Sequence, residues 1–356
     1  IFWIISMTDV LPLSLFVCFL MWATNKYLKL SWLHNLRNSP QTYHKKSTSR
    51  LGGMAIYLPL LLVTFFFENT PEYEFLRNVL LCAFPLFLAG ILDDLNFAIK
   101  PSTRIFLMLP TPILLFFYVN LRVESVSLEL FDYLLSFEIF SLLFLVFSLI
   151  GIVNAFNIID GFNGLLLSYC LTVILSLLID LGPSLSMDWM NYMVAVFFAV
   201  FGVFLVNFPF GKIFLGDGGA YLLGLLIPVG LIKYTFDNDL SPWFVLALLI
   251  YPVTEVLVSA IRKIFFRKMS ALQPDGLHFH MLIYKKVTKK IGFRRIRWRH
   301  FIVTIFIFMI NFPFMVIANY FKTDTYALIL LCFWFLGIYL MAYFILLPKY
   351  SFRKSK

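Results

Sequence analysis

The chain is built from apolar runs that no water-soluble fold could bury. LLFLVFSLIGIV at 142–153 and LLSYCLTVILSLLI at 166–179 carry no charge, and comparable runs recur along the whole sequence. About 20 apolar residues cross the ~30 Å hydrocarbon of a bilayer as a helix, and a helix satisfies its own backbone hydrogen bonds inside lipid. Charged residues make up 13% of the 356, against about 25% in a soluble domain. The sequence therefore predicts an all-α polytopic membrane protein. Apolar stretches fall at 8–25, 51–67, 79–92, 105–119, 135–153, 164–181, 191–206, 219–233, 242–260, 300–319 and 325–347, which makes ten to eleven transmembrane helices. No internal repeat or linker divides them, so residues 1–356 are expected to form a single integral-membrane domain. Cys18, Cys82, Cys170 and Cys332 lie singly in apolar stretches and read as small hydrophobes. Nothing basic precedes Lys26, so a cleavable signal is not expected.

Charge gives the orientation. The connections 24–50, 93–104, 154–163, 207–218 and 261–299 and the tail 348–356 hold 25 of the 29 Lys and Arg residues. Such an excess marks the cytoplasmic side, so the N-terminus is expected outside and the C-terminus inside. The net charge of +10 is mostly this bias. It favours anionic lipid and is not read as nucleic-acid binding. Acidic residues behave differently. Most of the nineteen lie in outer loops, but Asp93, Asp94, Asp160, Asp217, Glu255 and Asp275 lie on the basic side or at helix ends facing it. Function is sought on that face.

Five segments there could carry chemistry. GILDDLNF at 90–97 ends an apolar helix with paired carboxylates, which is costly unless they are hydrated, paired or cation-bound. They can hold Mg²⁺, act as a base, or simply be solvated helix-end charges. NAFNIIDGFNGL at 154–165 places three asparagines, an aspartate and two glycines between apolar runs, suiting either a ligand floor or a structural turn. In NFPFGKIFLGDGGAYLLG at 207–224, Asp217 is a metal ligand or a helix N-cap. QPDGLHFHMLIYKKV at 273–287 sets His278 and His280 in a basic loop, where phosphate binding is favoured over zinc because no Cys, Glu or third His is close in sequence. HKKSTSRLGG at 44–53 leads into a Gly-Gly helix start able to hold an anion, or is a solvated basic loop. Carboxylates, cations and glycine turns on one face suit a phosphate-bearing substrate, since phosphoryl transfer rests on positioning and charge neutralisation. The residues alone lead to Mg²⁺-dependent transfer involving a membrane lipid phosphate.

These five segments, in this order, resemble the polyprenyl-phosphate N-acetylhexosamine-1-phosphate transferase superfamily, glycosyltransferase family 4. The resemblance spans nearly the whole chain. It implies transfer of a sugar 1-phosphate from a UDP-sugar to undecaprenyl phosphate with release of UMP, in the bacterial cytoplasmic membrane, with the site facing the cytoplasm. By position it implies Asp217 as the main Mg²⁺ ligand (Mn²⁺ being the alternative ion), with Asn157 and Asp160 beside the metal and diphosphate. Asp93 and Asp94 would serve near the acceptor phosphate, one of them as a base. Asn154, Gly161, Asn163, Lys46, Arg104, Lys212, His278 and His280 would bind nucleotide-sugar or phosphate. A homodimer is compatible with this reading. Three positions depart from the family pattern: Asn163 stands for the usual second Asp, Met281 for the third His, and Ser49 for the Pro before Arg50.

Two other readings compete. A transporter or flippase would use intramembrane acids as ion sites, but the acids here gather on one face and no inverted repeat is evident. An intramembrane prenyltransferase would carry two aspartate-rich motifs, and this chain has one Asp-Asp pair.

Overall fold

The computed structural model describes residues 9–27, 48–66, 73–97, 99–179, 187–266, 268, 276–290 and 296–347. Fifteen α-helices and no strand occur among them. In chain order they are α1 (Val10–Tyr27), α2 (Met54–Phe66), α3 (Glu74–Asp94), α4 (Pro101–Met108), α5 (Pro110–Tyr118), α6 (Glu129–Leu135), α7 (Glu138–Ile159) and α8 (Leu165–Ile179). There follow α9 (Met187–Asn207), α10 (Gly216–Asp237), α11 (Trp243–Leu248), α12 (Ile250–Ile261), α13 (Phe279–Lys290), α14 (Ile296–Tyr320) and α15 (Thr325–Leu346). Eight helical stretches, α4 and α5 counted as one, are long and apolar enough to cross a membrane. Large side chains such as Phe147, Ile139, Leu330, Phe333 and Met341 stand exposed on them, as a lipid-facing surface requires. The protein is an all-α polytopic membrane protein.

Each of the eleven expected stretches holds a helix, but two are divided. The run 105–119 is divided between α4 and α5 at Leu109. The run 242–260 is not a single helix but α11 and α12, broken at Leu249. Pro252 has no N–H to offer the carbonyl of Leu248, and the Tyr169 hydroxyl donates to that carbonyl instead, at 2.6 Å. The break therefore leaves no backbone acceptor stranded in the apolar interior. Helices α2 and α8 are apolar but shorter than a full span, at 13 and 15 residues.

The buried helix at the centre is α10, which packs against α3 and α7 and touches α2, α8, α9 and α11. A helix apolar all round belongs inside a bundle, and its glycines let neighbours come close. A Cβ on Gly224 would lie 2.8 Å from the Cα of Val153 on α7. A Cβ on Gly90 of α3 would overlap Gly218. This backbone-to-backbone approach sets the distance between the polar ends of α3 and α10.

Candidate active site

The site is assembled first by backbone. The N–H groups of Gly52 and Gly53 donate to the carbonyls of Phe214 and Leu215, both at 2.9 Å, and Phe214 N–H donates to Ser49 at 2.8 Å. The last of these bonds needs no N–H from residue 49, so Ser serves there as well as Pro. The chain then turns into α10 at Gly216, whose φ of +78° and whose contact with Arg50 and Asp94 leave no room for a Cβ.

Asp94 sits against this turn and caps α10 from a different helix. Its two oxygens accept from the N–H groups of Asp217 and Gly218, each at 2.9 Å, where orphan amides and the helix dipole favour an anion. Arg50 Nε lies 3.3 Å from the same carboxylate, whose side chain is 0% exposed. Asp94 is thus enclosed with both oxygens engaged. Its contacts hold Asp217 and Arg50 in place. The cap on α10 is therefore Asp94, and the Asp217 side chain is turned elsewhere. It accepts from Arg50 Nη2 at 2.9 Å and is in hydrogen-bonding contact with the Asp93 carboxyl group.

Asp93 in turn pairs with Arg104 Nη2 at 2.7 Å. Arg104 Nη1 donates to the Tyr221 hydroxyl at 3.0 Å, and Asn157 Nδ2 donates to the same oxygen at 3.1 Å. Tyr221 lies one turn beyond Asp217 on α10, so both side chains share a face. Asp160, just past the end of α7, has a pKa raised to about 7 by burial and by repulsion from Asp217, with Arg50 opposing. On Arg50 burial opposes the charge, but Asp217, Asp94, Asp160 and Asp93 together hold its pKa above the ordinary value.

Two carboxyl groups in contact require a proton or a cation between them. No three His, Cys, Asp or Glu side chains converge as a ready-made metal cage among the described residues. Mg²⁺ typically takes one or two carboxylates and completes its shell with water and substrate phosphate. Asp93 and Asp217 fit that ion, and Asn157 reaches the cluster through its amide bond to the Tyr221 hydroxyl.

The second half of the site lies at the 160–164 turn. A methyl group on Gly161 would lie 3.2 Å from His280 Nε2. The ring of Phe162 meets His280, Tyr284 and His300. Asn163 is 6% exposed; its Nδ2 donates to Pro209 at 3.1 Å and its carbonyl accepts from Thr304 at 2.9 Å. Gly164 N–H donates to Asn207 Oδ1 at 2.6 Å. Asn163 therefore ties three segments together in this arrangement. His278 and His280 both meet Glu255. Met281 is buried in the apolar core, so a packing side chain fills the third-histidine position.

The structure thus brings together Asp93, Asp94, Asn157, Asp160, Asp217 and Arg104, with Gly161, Asn163, His278 and His280 alongside. Asn154 turns its amide back to Ile150 on its own helix at 2.7 Å. Lys212 is exposed, and Lys46 lies outside the described residues. Two participants were given no role in sequence: Arg50 stood in a noted basic segment, and Tyr221 is spaced four residues from Asp217. Glu255 was counted among the acids of the basic face without a role.

Fold and site together define an integral-membrane protein with an acidic, arginine-paired polar centre at one end of a helix bundle. Residues 76–235 match the family model for glycosyl transferase family 4. The undecaprenyl-phosphate alpha-N-acetylglucosaminyl 1-phosphate transferase of Thermotoga maritima is 29% identical over 246 residues, covering 69% of this chain and 71% of that protein. The phospho-N-acetylmuramoyl-pentapeptide-transferase of Streptococcus pneumoniae is 29% identical over 193 residues, 51% of this chain and 57% of that protein. The Deinococcus radiodurans protein of the same name is 28% identical over 274 residues, 71% of this chain and 83% of its own length. Against the streptococcal relative, then, the chain spans less than two thirds of the length. Over these parts of its length the chain is similar to glycosyl transferase family 4 and to membrane sugar-phosphate transferases.

Proposed function

We propose that this chain transfers a sugar 1-phosphate, an N-acetylhexosamine or a related sugar, from a UDP-sugar to undecaprenyl phosphate. The products are the undecaprenyl-diphosphate-sugar and UMP, in the first membrane step of a cell-surface glycan. The observation that carries this reading is the convergence of Asp93, Asp94 and Asp217 with two arginines, Arg50 and Arg104, at one end of the bundle.

A lipid-phosphate oxygen attacks the phosphorus next to the sugar, and the bond from that phosphorus to the bridging oxygen of UMP breaks. Mg²⁺, when bound, would neutralise diphosphate charge and favour departure of UMP. Asp217 and Asp93 would hold the ion, with Asn157 and Asp160 beside it and Asp94 fixing Asp217. Arg50 and Arg104 already bind carboxylates, and their planar donor sets suit phosphate oxygens equally well. The acceptor needs little base catalysis at neutral pH, because a phosphate monoester has a second pKa of ~6. Bringing two anions together is the harder task, so the cations rank above any base. The site faces the cytoplasm on this reading, with the N-terminus outside, the C-terminus inside and about eleven spans.

The test is transfer of radiolabelled sugar from candidate UDP-sugars to undecaprenyl phosphate in detergent. Labelled lipid that depends on Mg²⁺ or Mn²⁺ is expected. Absence of labelled lipid with every UDP-N-acetylhexosamine would overturn the reading.

A further inference from the structure

Below the Asp160–Gly161 turn lies a buried polar knot with no role in the acidic cluster. Glu255 on α12 is 1% exposed. It accepts from the Phe279 N–H at 3.0 Å, and its Oε2 lies 3.3 Å from His278 Nδ1. Its Oε1 accepts from the Tyr251 hydroxyl at 3.3 Å and lies 3.5 Å from His280 Nδ1. The two imidazole planes lie within 3° of parallel, 5.6 Å apart. Both rings therefore turn Nδ1 to one buried acid, which also meets the first amide of α13.

His280 Nε2 points the other way. The residue is 0% exposed, and this nitrogen has no hydrogen-bond partner among the described residues. Its neighbour is Gly161, where the missing side chain leaves the backbone low. A polar atom held this way in the interior is costly unless a ligand meets it.

We propose that Glu255 is the positioning residue of the histidine pair, fixing the proton on Nδ1 so that His280 presents Nε2 to a phosphate group at the Asp160–Gly161 turn. The proposal rests on the transferase reading and adds a residue to it. An ionised carboxylate can only accept, so the His278 ring facing it carries its hydrogen on Nδ1. His280 Nδ1 lies 3.2 Å from the Tyr251 hydroxyl, whose own hydrogen goes to Glu255, so that ring too must donate from Nδ1. A neutral ring of that tautomer shows a lone pair at Nε2, which repels a phosphate oxygen. Only the imidazolium offers a second N–H, and the charge of Glu255 stabilises that second proton. Burial holds the His280 pKa below the ordinary range, with Glu255 opposing. Phosphate binding would then bring a proton onto the ring, and affinity would fall as pH rises. The other groups facing the knot are His278, Tyr251 and Tyr339. Asp160 lies beside the turn, and Arg262, bonded to the Leu277 carbonyl, lies beyond it. The ring of Phe162 separates His280 from His300.

The test is made on the full chain in detergent, labelled with ¹⁵N-histidine. The chain has five histidines, few enough to assign by substitution. His280 is expected to show a protonated Nδ1 and a bare Nε2, and to gain a second proton when UMP is added at pH 7. Replacing Glu255→Gln puts an NH₂ against one ring, since an amide cannot accept from both; UMP affinity should drop about 10- to 100-fold. The remaining affinity should vanish at a lower pH than in the wild type. A wild-type His280 carrying its hydrogen on Nε2, or a folded Glu255→Gln protein with unchanged UMP affinity and pH profile, would overturn the proposal. If Glu255→Gln fails to fold, the wild-type spectrum alone decides. Absence of sugar transfer alongside the expected tautomer would count against the transferase reading and leave this assignment standing.

Discussion

At the scale of single residues, the carboxylates divide by what surrounds them. Asp217 faces Arg50 and Asp93, so Asp217→Asn keeps its shape but removes charge from a hard oxygen site. Losing transition-state electrostatics of this kind lowers rate on the order of 10²–10³; normal turnover in a folded, membrane-inserted Asp217→Asn protein would contradict its role. Asp93 is tested by pH. Acting as a base toward a monoanionic lipid phosphate, it should lose most activity as Asp93→Asn at pH 6 and recover above the phosphate's own pKa. Acting as a ligand or a positioner, it should show a flat deficit, and the arginine pairing makes the flat deficit the expected result. Asp160 gives a stability test. Its pKa of about 7 in the folded protein lies above the ~3.9 of an unfolded Asp, so the folded state binds more protons between these values. Stability from this group is therefore lost as pH rises from about 4 to 7. Asp160→Asn should raise the melting temperature of the metal-free protein, with a gain that grows across that window and levels off above it. A gain independent of pH would contradict the sign. These acids were legible in sequence because a carboxylate at the end of an apolar run is costly without a partner. Their partners were not legible, because Arg50, Asp94 and Asp217 meet through tertiary contact and no periodicity links positions so far apart. Asn163 shows the same limit. The resemblance places it among the nucleotide-sugar or phosphate residues, and the contact of its amide with Pro209 was not readable from sequence.

At the scale of elements, apolar length was the strong signal and continuity the weak one. All eleven stretches became helical because lipid leaves the backbone little choice. The break at Leu249 was hidden, although Pro252 was in plain view, because the hydroxyl that stabilises it comes from Tyr169 on another helix. Proline inside α2, α3, α10 and α14 causes no comparable division, so proline alone does not specify a break. The α3–α10 crossing gives a sharper test of how elements build the site. Gly90→Ala places a methyl group into the backbone of Gly218, and overpacking of this kind typically destabilises by about 1–3 kcal/mol. Moving α3 away from α10 would also draw Asp94 off the amides of Asp217 and Gly218. Gly90→Ala should therefore lower both melting temperature and transfer rate, whereas Gly337→Ala on α15, with open space around it, should change neither. Equal effects from the two substitutions would mean that the crossing does not set the geometry of the site.

At the scale of the whole molecule, acidic residues gather at one end of the bundle, and Lys and Arg are concentrated in one set of connections. The five polar segments chosen from sequence lie in separate connections, and the structure brings the ends of α3 and α7, the start of α10 and the approach to α2 into one cluster. Convergence at one end of a bundle is a statement about the protein alone; which side of the membrane that end occupies is a separate matter of charge. On the sequence reading, the excess of Lys and Arg falls in the connections that carry these segments, and such an excess marks the cytoplasmic side. A nucleotide-sugar donor is water-soluble and highly charged, so it cannot reach a site that opens into the hydrocarbon or onto the face away from its source. Orientation and donor supply are thus one requirement. Reporter fusions within 24–50 and 261–299 should read as cytoplasmic, and fusions near 70 and 185 as exterior. Inserting a further cluster of Lys residues near position 70 should weaken that preference and reduce transfer in whole cells, while solubilised protein from the same cells keeps its activity. The opposite polarity in the unaltered chain would put the acidic cluster on the face away from the cytoplasm, and a cytoplasmic nucleotide-sugar could then not be its substrate.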